Sequence, residues 1–324
     1  MRSLTLRAES WPLKTPLRIT GRSFGEARTL VAEIREGGAA GRAEAAGVFY
    51  LGETVASMMA QIESARAEIE RGADRRALRY LLPPGGARNA IDCALWDLEA
   101  KKSGERVWDL AGVPVAPVAT VNTIGIGSLE EMAATARAID AKHIKVKLDA
   151  DAPVERIEAV RAARPDAELV IDVNQGWTFE QLKETAPAML KLGVSMIEQP
   201  LPRGGDHELE GYKAPLPLCA DESCLHLGEL ETAAARYQMI NIKLDKTGGL
   251  TEALDLAAAA HKRGVALMTG NMLGTSLAMA PAFIVAQLSR FVDLDGPTLL
   301  QCDCDAAMSY RDGVVTAPAA ALWG

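Results

Sequence analysis

From about residue 115 onward, short apolar runs alternate with alanine-rich stretches whose apolar residues recur at helical spacing. Apolar runs rich in β-branched residues and bounded by polar ones are typical of buried parallel strands. Eight runs qualify as strands: Val118–Ile124, His143–Leu148, Leu169–Asn174, Val194–Glu198, Leu216–Asp221, Met239–Leu244, Val265–Thr269 and Arg290–Leu294. The helical stretches between them are Leu129–Ile139, Val154–Arg164, Phe179–Leu192, Glu229–Arg236 and Leu250–Arg263. This alternation predicts a (β/α)8-type, modified TIM barrel, whose functional residues lie at the carboxyl ends of the strands. An open doubly wound sheet is the alternative, but no glycine-rich phosphate-binding turn follows an early strand.

The first hundred residues have a different order, in which strands precede helices. Leu4–Ala8 and Thr29–Ile34 are predicted strands, and the glycines at positions 21, 25, 37 and 38 mark loops or turns. Thr54–Arg71 and Arg88–Lys101 are predicted helices, the second with its apolar residues on one face. This order predicts a separate α+β domain.

Gly112-Val113-Pro114 is the predicted boundary between the two parts of the chain. We expect an α+β capping domain at residues 1–114 and a barrel that carries the functional site at residues 115–299. The tail, from about residue 300 to residue 324, is expected to pack back on the capping domain.

The composition argues against several kinds of partner. The formal net charge of −8 disfavours binding to nucleic acid or to an acidic membrane. The longest apolar stretch, Leu277–Leu288, is too short to span a bilayer, and Met1–Leu17 lacks the continuous apolar run of a secretory signal. The five cysteines have no framework spacing, which indicates reduced thiols and a cytoplasmic protein. The oligomeric state stays open, and a homo-oligomer is compatible with the sequence.

Three acidic residues end three consecutive predicted strands: Asp172, Glu198 and Asp221. Carboxylates from adjacent strands, with no His or Cys nearby in sequence, are hard oxygen ligands suited to Mg²⁺. The alternative is that each acid caps a following helix, since Asp is favoured at that position. Capping explains one such residue more easily than three in succession, so the sequence favours a site for one magnesium ion.

Lysines flank the three acids along the chain. Lys145 and Lys147 are two residues apart in one strand and therefore project to the same face. Two ammonium groups in one mouth, beside a divalent cation, are expected to lower the pKa of the lysines and so produce a usable general base. The alternative, lysines protecting an exposed edge strand, weakens in a closed barrel, which has no edge. Lys243 ends the sixth strand and would face Lys147 across the acids, as a 1,1-proton transfer requires.

The motifs around these residues resemble the enolase superfamily, in its muconate-lactonising-enzyme subgroup. They read KVK, DVNQGW, IEQP, ADES and NIKLDKTGG. Within the subgroup the chain is most similar to the dipeptide epimerases of the L-Ala-D/L-Glu type, and the likeness extends to SWPLKTP, ARNAIDCALWDLEAKKSG and VDLDGPTLL. One departure is Val173, where the family more often has alanine, and it affects no expected ligand.

The resemblance implies a role for each residue of the cluster. Asp172, Glu198 and Asp221 would bind Mg²⁺, Lys147 and Lys243 would be the two acid/base catalysts, and Lys145 would bind the substrate carboxylate. Enolase-superfamily sites use a Lys or His base with Mg²⁺ stabilising an ene-diolate, so this chemistry is carried over from the family. The implied reaction is epimerisation of the C-terminal residue of a dipeptide, and the family also suggests a place in murein peptide metabolism.

Asp293 and Asp295, in the DLDGP segment, point to a dipeptide in particular. Being two residues apart at the end of the eighth strand, both would face the mouth and hold the substrate's free α-ammonium. The alternative is that one caps a helix while the other is solvated. Thr123 aligns with a substrate-contacting residue of the family, although an ordinary strand threonine explains it nearly as well.

Two N-terminal stretches resemble the loops that close over the site in the family. Thr20–Gly25 is a glycine-flanked loop in which Arg22 would read an acidic side chain, with a solvated surface arginine as the alternative. Gly47–Gly52, with two aromatic residues, is the second loop. Gly270–Gly274, after the seventh strand, is expected to line the pocket.

Two other functions stay open from the sequence. A sister activity on the same platform, such as o-succinylbenzoate synthesis, N-acylamino acid racemisation or cycloisomerisation, would have no substrate ammonium for Asp293 and Asp295. A non-catalytic barrel that binds a metal–carboxylate ligand is the other alternative, and the two opposed lysines argue against it.

Overall fold

The N-terminal region is an antiparallel sheet followed by helices, as its sequence predicts. The computed structural model describes residues 2–324. The strands of this sheet are β1 (Ser3–Ile19), β2 (Arg22–Glu36) and β3 (Ala39–Ala45), with β2 in the middle. The helices that follow are α1 (Val55–Glu70), α2 (Arg75–Leu81), α3 (Gly86–Ser103) and α4 (Val107–Ala111). The two predicted strands and two predicted helices are confirmed, although β1 and β2 are much longer than predicted.

Strand β3 was not predicted because its sequence, AAGRAEA, has little strand propensity. Its small residues serve packing against α3, which is buried along most of its length. A Cβ atom on Gly41 would lie 2.2 Å from the Ala94 carbonyl oxygen and 2.3 Å from the Leu98 nitrogen. Glycine at this position therefore lets the helix backbone approach the sheet closely.

A short connector precedes the second sheet. The connector, β4 (Val118–Ala119), pairs with β14 (Val314–Val315), which in turn pairs with β13 (Tyr310–Arg311). The predicted strand Val118–Ile124 is therefore wrong as a single element, since its first two residues form β4 and its last three form a separate barrel strand.

Eight parallel strands in chain order form the barrel sheet. They are β5 (Asn122–Ile124), β6 (His143–Lys147), β7 (Glu168–Asp172), β8 (Val194–Glu198), β9 (Leu218–Ala220), β10 (Met239–Ile242), β11 (Ala266–Thr269) and β12 (Phe291–Val292). The Val121 amide donates to the Val292 carbonyl oxygen at 2.8 Å and so joins the first strand to the last. The predicted (β/α)8-type barrel is confirmed.

A layer of apolar side chains fills the inside of the barrel. It contains one residue from each of six barrel strands and Val121, which directly precedes β5; the six are Val170, Met196, Cys219, Met239, Met268 and Phe291. This cluster is separate from the larger core, which lies between the strands, the helices and the N-terminal region. The barrel is therefore packed at its centre, so polar side chains gather only at its ends.

Helices follow the barrel strands, except between β8 and β9, where the connection contains a short 3-10 helix at His207–Leu209. They are α5 (Leu129–Ala138), α6 (Pro153–Ala163), α7 (Phe179–Lys191), α8 (Leu230–Arg236), α9 (Leu244–Thr247), α10 (Leu250–Lys262), α11 (Ser276–Ala286) and α12 (Gly296–Leu299). All five predicted helices are present, with ends that differ by one residue. Between residues 2 and 324, no helix combines the length and apolar character needed to cross a bilayer.

The end of the chain contacts the N-terminal region. The Trp323 indole donates to the Cys93 carbonyl oxygen at 3.1 Å, and the Gly324 amide donates to Asp97 Oδ1 at 2.6 Å. The Arg42 guanidinium donates to the Ala321 and Leu322 carbonyl oxygens. These contacts hold residues 321–324 against α3 and β3.

Candidate active site

Strand register brings the charged residues of the middle strands to one level at the mouth of the barrel. Lys147 pairs with Asp172 across β6 and β7, and Asp172 pairs with Glu198 across β7 and β8. Asp221 follows β9 directly, and Lys243 follows β10 directly. All five are buried, because parallel strands in this fold are covered by helices on one side and by the capping region at the mouth.

The Lys145 ammonium lies among three carboxylates. Its Nζ is 2.6 Å from Glu198 Oε2, 3.0 Å from Asp172 Oδ2 and 2.8 Å from Asp293 Oδ2. The side chain is 1% exposed, so these contacts lie in a region from which water is largely excluded. Lys145 therefore links the acids of the middle strands to the acid that follows the eighth strand.

The other two lysines contact opposite members of the acid group. Lys147 Nζ is 2.6 Å from Asp172 Oδ2, whereas Lys243 Nζ is 2.7 Å from Asp221 Oδ2. Glu198 lies on the strand between these two acids. The structure thus brings together both predicted acid/base lysines, on opposite sides of three buried carboxylates.

The expectation of a lowered pKa concerned Lys145 and Lys147, and for Lys145 it is wrong because the surrounding acids raise the pKa. Burial alone would lower the pKa of Lys145, but the surrounding carboxylates, Asp172 first, raise it well above its ordinary value. Burial opposes the charged form of Lys243 as well, and Asp221 is the main group that raises its pKa. That expectation counted the neighbouring cations and left out the acids, three of which contact Lys145.

The three strand-end carboxylates fit a divalent cation. Although burial raises the pKa of a carboxyl, the lysine charges outweigh it and hold the pKa of Asp172 and Asp221 below the usual value, so both are ionised. Glu198 Oε2 is buried and makes no hydrogen bond of acceptable geometry, although Lys145 is near. Within residues 2–324 no three acidic, His or Cys side chains lie close enough together to bind a metal ion, and lysine ammonium groups lie between the three strand-end acids. The donor set is nevertheless the all-oxygen type that Mg²⁺ prefers.

Sequence reasoning missed a fourth buried lysine beneath the site. Lys246 Nζ donates to Asp221 Oδ1 at 2.7 Å, and to the carbonyl oxygens of Asp221 and Asn241 at 2.6 and 2.7 Å. The Asn241 amide in turn donates to Glu198 Oε1 at 2.7 Å. The sequence offered one signal for this lysine, since Lys246 lies three residues after Lys243 in a motif whose other residues are buried.

Left-handed backbone follows two of the acid-bearing strands. Asn174, Gln175 and Gln199 have φ of 44°, 69° and 35°. Each such non-glycine conformation costs about 1–3 kcal/mol and persists only where the surroundings enforce it. At Gln199 the side chain holds the backbone in this conformation through two hydrogen bonds. Its Oε1 accepts from the Asp221 amide at 2.9 Å, and its Nε2 donates to the Leu201 carbonyl oxygen at 2.8 Å.

Asp293 and Asp295, here called the second acid pair, follow β12 at the mouth of the barrel, where Asp293 contacts Lys145. Asp295 Oδ2 accepts from the backbone amide of Thr123 at 2.6 Å, and the Asn271 side chain donates to the Asp293 carbonyl at 2.8 Å. Burial, followed by the charge of Asp293, raises the pKa of Asp295. Lys145 outweighs the effect of burial on Asp293, whose pKa is lowered. Asp295 stands at the N-terminus of α12, but its side chain makes no capping hydrogen bond there.

A cavity of about 760 Å³ opens above these groups. Lys145, Lys147, Lys243, both acids of the second pair and Thr123 line it, so the structure brings these predicted residues to one space. Residues 271–273, of the predicted pocket-lining segment, line it as well. The three carboxylates of Asp172, Glu198 and Asp221 lie beneath its floor or at its edge, with Asp221 in direct contact.

Arg22 lies outside this cluster. Only Thr20 and Gly21 form a turn, so the predicted loop over residues 20–25 is wrong in its last four residues, which belong to β2. Arg22 is exposed and does not line the cavity, and its guanidinium carbon lies 4.9 Å from the centre of the Phe49 ring. Its role as a partner of an acidic side chain stays a prediction.

Two family models match the two halves of the chain. Residues 1–112 match the model described as "Mandelate racemase / muconate lactonizing enzyme, N-terminal domain", and residues 129–321 match the model described as "Enolase C-terminal domain-like". Together these matches cover nearly the whole sequence.

Individual proteins are similar over the same length. The L-Ala-D/L-Glu epimerase of Escherichia coli (strain K12) is 45% identical over 317 residues, covering 97% of this chain and 99% of the relative. A crystal structure of an enolase family member from Agrobacterium tumefaciens, with bound sodium and L-Ala-L-Glu, superposes with a TM-score of 0.97 at 40% identity and covers 100% of both chains. The dipeptide epimerase of Methylococcus capsulatus, complexed with Mg and L-Arg-D-Lys, gives a TM-score of 0.91 at 31% identity, covering 97% of this chain and 96% of that one.

Proposed function

The chain belongs to the mandelate racemase/muconate lactonizing enzyme family of the enolase superfamily, and from that membership we propose that it is a Mg²⁺-dependent dipeptide epimerase of the L-Ala-D/L-Glu type. The observation that carries the proposal is the placement of Lys147 and Lys243 on opposite sides of three buried carboxylates. An isomerase that inverts one carbon needs a proton acceptor on one face of that carbon and a proton donor on the other.

The floor of the cavity is assigned to the substrate carboxylate. Asp172, Glu198 and Asp221 would hold Mg²⁺, and the chemistry that this ion supplies when bound is stabilisation of negative charge on the substrate carboxylate. Lys145 adds a fixed ammonium group beside the same acids. The site therefore combines charge stabilisation with exclusion of water, which strengthens each electrostatic contact.

The two lysines transfer the proton. With the carboxylate on the floor, the α-carbon of the C-terminal residue lies between Lys147 and Lys243. One lysine removes the α-proton as a neutral amine, and the other donates a proton to the opposite face as an ammonium group. The free enzyme holds the pKa of Lys243 high through Asp221, so the neutral amine needs that carboxylate to be engaged by another cation.

The second acid pair is assigned to the N-terminus of the dipeptide. Asp293 and Asp295 are both buried and both line the cavity, and in the free enzyme Lys145 is the only ammonium group in contact with Asp293 among the described residues. A substrate ammonium group placed here would form charge-assisted hydrogen bonds with the pair. This contact distinguishes a dipeptide from an N-acylated amino acid.

The direct test is incubation of the purified protein with L-Ala-L-Glu and Mg²⁺ in D₂O. We expect a gain of one mass unit in the dipeptide and the appearance of L-Ala-D-Glu. A non-catalytic carboxylate-binding barrel would bind the dipeptide without exchange. Exchange only with N-acylated amino acids would assign the protein to a sister activity.

A further inference from the structure

Lys243 precedes a short buried helix that packs against the N-terminal region. It is the N-cap residue of α9, and its carbonyl oxygen accepts from the Lys246 and Thr247 amides at 3.0 and 3.1 Å. All four residues of α9 are buried, and the helix contacts α3. The contacts that hold α9 in place therefore also fix the backbone of Lys243, while its side chain can still turn from Asp221 towards a substrate.

Asp245, the second residue of α9, accepts a hydrogen bond from the backbone of the N-terminal region. Its Oδ1 accepts from the Gly47 amide at 2.8 Å, and the two residues are 198 positions apart in the sequence. Burial raises the pKa of Asp245 from 3.8 to about 6, although hydrogen bonds from the Gly47 amide and the Asn89 side chain oppose the rise. Hydrogen-bond donors of the N-terminal region therefore stabilise this carboxylate, whereas lysines contact the strand-end acids.

Gly47 begins the second loop, residues 47–52, whose Phe49 and Tyr50 side chains line the cavity. Gly47 lines the cavity as well, and its φ of 78° is a left-handed conformation that favours glycine. The hydrogen bond to Asp245 therefore connects one wall of the cavity directly to α9. A substrate that rests against this wall is thereby held at a fixed distance from the backbone that carries the lysine.

Lys147 is fixed in a different way. Its backbone is held by the pairing of β6 with β7, in which Lys147 lies opposite Asp172. Three strands of the barrel sheet separate β6 from β10, the strand that Lys243 follows. Loss of the hydrogen bond between Gly47 and Asp245 should consequently displace Lys243 and leave Lys147 in place.

We propose that Asp245 is a positioning residue that holds Lys243 at the correct distance from the substrate α-carbon by fixing α9 to the second loop. This inference rests on the proposed function and concerns one of its two proton-transfer steps. Asp245 does not line the cavity, so it acts through Lys243 and not on the substrate. The role is consequential because a misplacement of about 1 Å in an active site can lower a rate by about 10²-fold.

Asp245→Ala should slow the exchange of one epimer of the substrate more than that of the other. The affected epimer is the one with which Lys243→Ala loses exchange, because Lys243 removes its α-proton. The assay compares L-Ala-L-Glu with L-Ala-D-Glu in D₂O and Mg²⁺. We expect kcat for exchange of the affected epimer to fall by at least roughly tenfold more than kcat for the other epimer.

Two further variants of Asp245 separate the hydrogen bond from other effects of the substitution. Asp245→Asn keeps an oxygen that accepts from the Gly47 amide, so its ratio of the two kcat values should stay within about threefold of the wild-type ratio. Asp245→Ser has a side chain too short to reach Gly47 and should give the same skew as Asp245→Ala. It takes the place of Asp245→Ala if that variant does not fold, as judged by a thermal melt.

Asp92→Ala is the matched control, because Asp92 makes a similar contact further along the chain. Its Oδ2 and Oδ1 accept from the Thr251 amide at 2.9 Å and from the Thr251 hydroxyl at 2.6 Å. Asp92 is buried like Asp245, and burial raises its pKa to about 6 as well. Thr251 belongs to α10 and not to α9, so Asp92→Ala should weaken the same interface without changing the ratio of the two kcat values.

The outcomes separate this inference from the proposed function. Exchange of neither epimer by the wild type overturns both. Exchange by the wild type, with equal falls for the two epimers in Asp245→Ala, overturns the positioning role and leaves the epimerase function standing. The same skew in Asp92→Ala, or a skew in Asp245→Asn as large as that in Asp245→Ala, also overturns the positioning role.

Discussion

Raising the pH should destabilise the fold by ionising a buried carboxyl that lies between the N-terminal region and the mouth of the barrel. The Glu44 carboxylate, on β3, accepts from the Thr275 amide at 2.9 Å and from the Thr275 hydroxyl. Thr275 is the N-cap residue of α11 and lies two residues after Leu273, which lines the cavity. Burial raises the pKa of Glu44 from 4.5 to about 7, and these two hydrogen bonds only partly offset it.

The sign and size of the effect follow from this shift. A carboxyl whose pKa is raised in the folded state binds its proton more tightly there, so the stabilisation is complete below pH 4.5 and is lost as the pH rises to about 7. At about 1.4 kcal/mol per pH unit, the free energy of unfolding should fall by about 3 kcal/mol across this window on account of Glu44. Glu44→Gln has no proton to lose and should not show this fall.

The assay is urea denaturation of the wild type and of Glu44→Gln at pH 5 and pH 8. The difference in free energy of unfolding between the two proteins should shift by about 2.5 kcal/mol in favour of the variant on going from pH 5 to pH 8. Glu36→Gln is the control, because a hydrogen bond from Lys102 lowers the pKa of this half-buried residue. An unchanged difference between wild type and Glu44→Gln at the two pH values would refute the reasoning.

Three further predictions concern the site. Neutralising any one of the three strand-end acids should abolish turnover, and the variants that test this are Asp172→Asn, Glu198→Gln and Asp221→Asn. Chelation should also inactivate the wild type until Mg²⁺ is restored, and full activity in excess chelator would contradict the metal site. N-acetylation of the dipeptide should reduce kcat/KM by the equivalent of about 2–5 kcal/mol, because the Asp293–Asp295 pair loses its ammonium partner, and equal rates for both substrates would argue for acylamino acid racemisation. Lys246→Met should lower the free energy of unfolding in a urea titration by about 3–5 kcal/mol, because the buried Asp221 carboxylate loses one of its ammonium partners. An unchanged urea midpoint would exclude a stabilising role for Lys246.

The barrel and the charged cluster could be predicted because strands and acids repeat together. Each acid or lysine ends an apolar run, and parallel strands in chain order bring those ends to one level. The predictable part of the site is therefore the part fixed by strand register, including the opposed positions of Lys147 and Lys243.

Features that depend on tertiary packing could not be predicted in the same way. Strand β3 forms from residues of low strand propensity because β2 supplies its hydrogen-bond partners and α3 packs on Gly41. The raised pKa of Lys145 depends on Asp293, which is 148 residues away in sequence. Lys246 was missed because its side chain contacts Asp221 from beneath the site, and its distance from Lys243 along the sequence does not indicate which way the side chain points.

The exposure of Arg22 illustrates a further limit. Its place beside a glycine turn suggested a loop over the cavity, but pairing of Arg22 with Ile19 extends the hairpin of β1 and β2 to that turn. The guanidinium consequently lies over Phe49, on the outer side of a ring that lines the cavity. Sequence identifies the cation, whereas the hairpin register decides which way it faces.

The central claim, that two lysines act on opposite faces of one carbon, is tested most directly by isotope exchange with each epimer separately. Lys147→Ala and Lys243→Ala are incubated with L-Ala-L-Glu and with L-Ala-D-Glu in D₂O and Mg²⁺, and deuterium at the α-carbon is measured. We predict that each variant loses exchange with a different epimer and keeps some with the other, while epimerisation falls in both by at least roughly 10²–10⁴-fold. Loss of exchange with the same epimer in both variants would contradict the two-base mechanism, because the lysines would then share one face.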